Sequence, residues 1–174
     1  RQGQFENTCI LYTSDHGPSR EPRNWLDGRQ EPYPGGTTGG LRGHKSRLFD
    51  GGVHVPGILH WPRRVPGRTV RETPVASMDV VPSFLQAAGP TVDGSPLWPV
   101  IDDGPEPVQA TRALCWKMGP SLAVRQGDWK LVLDGKVADE PEAPDAVHLS
   151  NLREDRGERN NLADTETERV EALR

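Results

Sequence analysis

Two clusters in the first third of the chain carry side chains suited to chemistry on an anion. Asp15 and His16 stand side by side in Ser14-Asp15-His16-Gly17-Pro18. A carboxylate next to an imidazole suits a hard-to-borderline divalent cation and equally suits an acid/base pair. Two donors do not complete a metal site, since Ca²⁺ takes roughly 6–8 oxygen ligands, so the remaining ligands have to come from elsewhere. The second cluster, residues 41–56, gathers Arg42, His44, Lys45, Arg47 and His54 around Gly43, Gly51 and Gly52. Lysine is a compact point charge able to meet a phosphate or sulfate oxygen. Paired glycines let the backbone approach closely or take a positive φ. Residue chemistry alone leaves each cluster two readings. The first is a cation or acid/base site, or a turn-capping Asp beside an exposed His. The second is an oxyanion-binding loop, or a basic surface loop.

The elements that must position these groups follow from pattern. Residues 8–13, Thr-Cys-Ile-Leu-Tyr-Thr, are a nearly continuous apolar and β-branched run, predicting a strand buried on both faces as in a parallel sheet. Asp15 and His16 follow its carboxyl end, where open α/β sheets bind ligands. Residues 17–40 form a long Gly/Pro-rich loop without periodicity. Residues 57–61 predict a second buried strand, stopped by Pro62. Asp79 as N-cap, Pro82 in the first turn and Val81, Phe84, Leu85 and Ala88 at helical spacing predict a core-packed helix over 79–88, ended by Gly89. Residues 90–110 hold five prolines and read as a linker. Beyond them come short β-type runs at 112–117, 122–125 and 128–133. Asp134-Gly135 is a turn signal, residues 138–145 an acidic loop, and 147–149 a candidate fourth strand. Thr165 and Glu168 form a capping-box pattern opening a final helix with Val170 and Leu173.

Composition bounds the function. The 174 residues carry 21 Lys and Arg against 25 Asp and Glu, for a net charge of −4. That balance argues against a general nucleic-acid binder, which needs a clustered basic surface. Charge is uneven: residues 1–89 hold 11 basic and 8 acidic side chains, residues 90–174 hold 10 and 17, and four of five histidines lie in the first sixty positions. With Gly added to the 33% hydrophobic fraction, the apolar share falls just under the usual ~45–50%, which allows a core of modest size. No run approaches ~18 apolar residues, so no membrane span is expected. Cys9 and Cys115 lack metal-site spacing and sit in strand-like runs, so both are expected to be buried free thiols.

Several separated motifs, in this order, resemble the type I, formylglycine-dependent sulfatase family. They are Thr-Ser-Asp-His-Gly at 13–17, Leu-Arg-Gly-His-Lys at 41–45, Gly-Gly-Val-His-Val-Pro-Gly-Ile at 51–58, Trp61-Pro62, and Ser-Met-Asp-Val-Val-Pro at 77–82. Ala-Val-Arg-Gln-Gly-Asp-Trp-Lys-Leu-Val at 123–132 and the stretch 149–163, with Asp155, Glu158 and Asn161-Leu162-Ala163, resemble the family's C-terminal subdomain. The resemblance implies an α/β fold: the C-terminal part of an alkaline-phosphatase-like sulfatase domain over 1–89, a linker at 90–110, and a small antiparallel sheet with a terminal helix over 111–174. It implies hydrolysis of aryl or carbohydrate sulfates, with a sulfated small molecule or glycan as partner. Asp15 and His16 map onto part of a Ca²⁺ site. Lys45 maps onto the catalytic lysine that contacts sulfate and helps neutralise the leaving oxygen, and His44 beside it is a candidate substrate contact or an exposed loop residue. Family habit implies export to the periplasm or medium.

The chain also departs from the pattern. Asp50 replaces the family's Glu before Gly-Gly and is expected to serve loop structure. His16 stands where many members have Asn. Neither Cys9 nor Cys115 fits the Cys-x-Pro-x-Arg motif whose cysteine becomes formylglycine. Ser121 to Arg125 formally match a Ser-x-Ala-x-Arg variant, but the run reads as a strand. The chain is therefore expected to be a fragment that does not turn over substrate by itself. Two alternatives stay open at this level: a phosphate mono- or diester hydrolase of the same superfamily, and a non-catalytic module that binds sulfated glycans.

Overall fold

A computed structural model describes residues 3–20, 27–30, 36–88, 97–102, 112–135 and 145–174. The expected acidic loop lies almost wholly outside the described residues, as do parts of the 17–40 loop and most of the 90–110 stretch. The chain packs as two units, Arg1–Tyr12 with Ile58–Leu114, and Thr13–Gly57 with Cys115–Arg174. This grouping differs from a division at 90–110: the segment carrying Asp15, His16 and Lys45 packs with the C-terminal sheet.

The first unit contains most of a two-stranded sheet, β1 (Ile10–Thr13) and β2 (Gly57–His60), and, among the described residues, four helical pieces. β1 and β2 occur where the apolar runs predict them, but they are not buried. Ile10, Tyr12 and Ile58 are 45%, 65% and 60% exposed, because no layer among the described residues covers them. Cys9 is half-buried and Cys115, on the later sheet, is exposed; both are free. Burial pushes the Cys9 thiol up, against a smaller opposing effect of Arg64.

A 3₁₀ turn, Ser77–Asp79, leads into α2 (Val80–Ala88). Asp79 does stand at the helix start. Its fully buried carboxylate accepts the Ala76 N–H (2.9 Å) and pairs with Arg112 (2.8 Å). The expected apolar face is not the buried one: Val81 is 60% and Phe84 38% exposed, while Ser83 is buried. The reason lies in α3 (Trp98–Ile101), a short helix inside the stretch read as a linker. The Leu97 N–H donates to Ser83 Oγ (2.7 Å) and Trp98 Nε1 donates to the Ser83 carbonyl (3.0 Å). α3 thus seats on the polar side of α2. Arg71 satisfies the end carbonyls of α3, at Val100 (2.9 Å) and Ile101 (3.1 Å).

The second unit is built on a four-stranded sheet in the order β3-β4-β5-β6: Ala113–Met118, Ser121–Gln126, Trp129–Leu133 and Val147–Asn151. β4, β5 and β6 are antiparallel neighbours, with Val124 opposite Leu131 and Leu131 opposite Leu149. Period-2 alternation assigns the faces. Leu131 and Leu149 join Val170 and Leu173 of the terminal helix α4 (Thr167–Leu173), with Val124, Trp129 and Leu133 around them. Ala123 and Val132 point the other way and join Leu48 and Phe49. Each fully buried Leu contributes roughly 1.5–3 kcal/mol. The capping box at 165–168 does not form. Thr165 Oγ1 donates to the Leu162 carbonyl (3.1 Å), and α4 starts two residues later without a side-chain cap.

Candidate functional site

The Asp15-His16 doublet follows β1, and the turn after it is held by its own groups. Ser14 Oγ donates to the His16 carbonyl (2.9 Å), and His16 Nδ1 lies 2.7 Å from the Gly17 carbonyl. A carbonyl only accepts, so Nδ1 carries the proton and the Nε2 lone pair is left for another partner in the neutral ring. Nε2 faces Asp15 Oδ2 at 3.3 Å, and the Asp15 side chain is 83% exposed. Two lone pairs at that distance repel unless a cation or a second ring proton lies between them.

Three glycines tie this turn to the second cluster. The Gly17 N–H donates to the Gly52 carbonyl (2.9 Å), the Gly51 N–H to Arg42 (2.6 Å) and the Lys45 N–H to Pro18 (2.9 Å). A Cβ on Gly17 would sit 1.8 Å from the Gly51 oxygen; one on Gly51 would sit 2.3 Å from the Gly43 oxygen, and one on Gly52 2.1 Å from the Arg47 oxygen. Only glycine permits backbones this close. The doublet and the lysine loop are therefore knotted backbone to backbone, with Lys45 bonded two residues past His16. Ser46 takes a φ of 65°, which turns the chain directly after Lys45. His44 is buried rather than exposed, at 8%, and its Nδ1 lies 3.0 Å from the Lys45 carbonyl. Its ring shapes the loop around Lys45.

Beneath the loop is a buried ion cluster that sequence reading did not find. Helix α1 (Asp50–Val53) begins at Asp50, whose Oδ1 accepts from Lys130 Nζ at 2.5 Å. His54 Nδ1 is 3.1 Å and Arg125 3.8 Å from Oδ2. Glu158 Oε2 accepts the Asp50 N–H (2.5 Å), and Oε1 lies 3.4 Å from Lys130 Nζ. Lys130 and Glu158 are both fully buried, at 0% exposure. Burial alone would raise Asp50, but the hydrogen bond from His54 and the charges of Lys130 and Arg125 hold it well below the usual carboxylate range. Burial dominates at Glu158 and, with the Asp50 charge, pushes it up to about 7 against the pull of Lys130.

Arg42 closes the cluster's edge. Its guanidinium stacks 4.0 Å over Phe49, donates to the Glu158 carbonyl (3.2 Å) and lies 3.1 Å from His148 Nδ1. His148 in turn contacts Asp145 (3.1 Å), and that hydrogen bond, joined by Asn161, holds the Asp145 carboxyl below its ordinary value. The Asp-Trp-Lys-Leu run was the available signal for Lys130. In an alternating strand, however, a lysine reads as solvent-facing, and only a second layer over that face buries it. Ser121, the formal alternative nucleophile, is buried in β4 with Oγ donating to the Asp134 carbonyl (2.7 Å), as the strand reading requires.

The family profile described as Sulfatase matches residues 1–90, just over half of the chain. The chain belongs to the sulfatase family. Steryl-sulfatase of Rattus norvegicus is 39% identical over 106 residues, covering 57% of this chain and 18% of the relative. Choline-sulfatase of Rhizobium meliloti (strain 1021) is 30% identical over 167 residues, covering 88% of this chain and 28% of the relative. The crystal structure of Ps i-CgsB in complex with k-i-k-neocarrahexaose aligns with a TM-score of 0.69 at 24% identity, over 98% of this chain and 35% of that one. The chain thus spans between about a fifth and about a third of the length of these relatives. Its fold is that of the C-terminal part of a sulfatase.

Proposed function

We propose that this chain supplies the cationic half of a sulfate-ester site, and that the complete protein hydrolyses an aryl or carbohydrate sulfate. The observation that carries the reading is the glycine knot, which ties the loop bearing Lys45 to the turn bearing Asp15 and His16. Lys45 is half-buried on a loop shaped by His44 and would place an ammonium on a sulfate oxygen. Its charge opposes the negative charge that grows on the departing ester oxygen. Within a rigid backbone frame that stabilisation needs little reorganisation.

The Asp15-His16 donor set fits part of a divalent cation site. It offers an exposed carboxylate oxygen and an imidazole lone pair that face each other at 3.3 Å. Among the described residues no group of three or more His, Cys, Asp or Glu side chains completes it. A bound Ca²⁺ would supply Lewis-acid neutralisation of sulfate oxygens. Asp15 and His16 would hold it, with other ligands from outside this chain. No Cys-x-Pro-x-Arg motif occurs in the 174 residues, so the part played by this chain is binding and electrostatic. No described helix is long and apolar enough to cross a membrane.

Titration of the labelled chain with sodium sulfate, with and without Ca²⁺, tests the reading by NMR. Shifts should centre on Lys45, Asp15 and His16, and Lys45→Ala should weaken sulfate about tenfold, the loss of one charge-assisted hydrogen bond. Inorganic phosphate binding more tightly than sulfate would favour the phosphate-ester alternative. Glycan binding that survives both Lys45→Ala and chelation would favour a non-catalytic module.

A further inference from the structure

We infer that Lys130 and Glu158 are positioning residues for the sulfate-binding loop, holding the Gly51–Gly52 turn against Gly17 from beneath. The inference rests on the reading of Lys45, Asp15 and His16 given above. Neither side chain touches that site. Both act through one peptide: Lys130 Nζ grips the Asp50 carboxylate (2.5 Å) while Glu158 Oε2 takes the Asp50 N–H (2.5 Å). Residues 50–52 are thereby held from both the side chain and the main chain.

The next bonds run outward from that grip. Gly51 N–H goes to Arg42, whose guanidinium returns to the Glu158 carbonyl, and the Gly52 carbonyl receives the Gly17 N–H. Gly17 directly follows His16, and Lys45 lies three residues from Arg42. A shift of the Asp50 peptide would therefore move the doublet and the lysine relative to each other. Glu158 is itself fixed in a left-handed conformation (φ 51°) by its N–H bond to Asp155 (3.1 Å). Lys130 is fixed by the strand pairing of β5 and lies 6.0 Å from the Trp116 ring centroid. Lys130 sits on a strand, and Glu158 sits in a turn that Asp155 braces by accepting the Arg159 (2.7 Å) and Asn160 (2.8 Å) N–H groups.

Amide hydrogen exchange on the intact chain, followed residue by residue by NMR, tests this with Lys130→Met and Glu158→Ala. In Lys130→Met the Gly17, Lys45 and Gly51 amides should exchange at least about tenfold faster, while the Leu131 and Leu149 amides stay within about twofold of wild type. Glu158→Ala removes the acceptor of the Asp50 N–H and should speed Gly17 and Gly51 at least about threefold. If Lys130→Met does not fold, Glu158→Ala decides alone. Wild-type exchange at Gly17 and Lys45 in a folded variant overturns the positioning role. Sulfate affinity measured on the same samples should fall with faster exchange. A wild-type chain that shows no sulfate shift at Lys45 overturns the sulfate reading and leaves the exchange comparison to judge the support.

Discussion

Burial of Glu158 beside Asp50, with one ammonium between them, links stability to pH in a defined direction. Glu158 is raised from 4.5 to about 7 in the fold. Its contribution is therefore full below about 4.5 and is lost as pH rises through about 7. Asp50 is shifted the other way, and its contribution is present above its ordinary 3.8 and lost only in stronger acid. Between these limits Asp50 is ionised in both states, and of this pair Glu158 alone changes. The neighbours that face them are Lys130, Arg125 and His54. Urea unfolding of wild type should lose on the order of 3 kcal/mol between about pH 4.5 and about pH 7 relative to Glu158→Gln. Parallel pH profiles for the two proteins would remove Glu158 as the cause. Asp15, His16 and Lys45 were picked out from sequence as candidates because their types are unusual in their setting. Lys130 and Glu158 were not, since lysine and glutamate are ordinary surface residues until a layer covers them.

At the scale of elements, periodicity located segments better than it located their buried faces. The four late strands and the terminal helix fall close to where alternation and spacing predict them, and Val170 and Leu173 are buried as expected. α2 is present over the predicted span, yet its polar Ser83 side is the one that is covered. A paired comparison separates the two cases. Leu173→Ala should destabilise by about 2 kcal/mol, the low end for a buried leucine near a chain terminus. Val81→Ala should change stability by less than about 0.5 kcal/mol, as for an exposed position. Equal losses in thermal or urea unfolding would mean that the apolar stripe of α2 is buried after all. The moment of a helix gives the direction of its apolar stripe, but what packs there depends on residues distant in the chain. Here Trp98 and Leu97 bond to Ser83 and decide the matter.

For the molecule as a whole, the 174-residue chain should show no turnover of a chromogenic aryl sulfate above buffer, with or without Ca²⁺. In the proposed reading the chain contributes charge through Lys45 and part of a cation site, and its one formal nucleophile match, Ser121, is buried and hydrogen-bonded in a strand. Measurable turnover that is abolished by Lys45→Ala would place a nucleophile within these residues. Sequence by itself determined the family, through motifs whose order and spacing are specific, and it named the candidate side chains. It also located the described strands and helices α2 and α4, because local pattern reflects local geometry, but not the short α1 and α3. The tertiary structure decided what no local pattern carries. It brought residues 13–57 to the C-terminal sheet, buried Lys130 and Glu158 under the loop, and locked Gly17 to Gly51 and Gly52. Those outcomes depend on contacts more than thirty residues apart in the chain, where the type of each residue says only what it can bond and the fold supplies the partner.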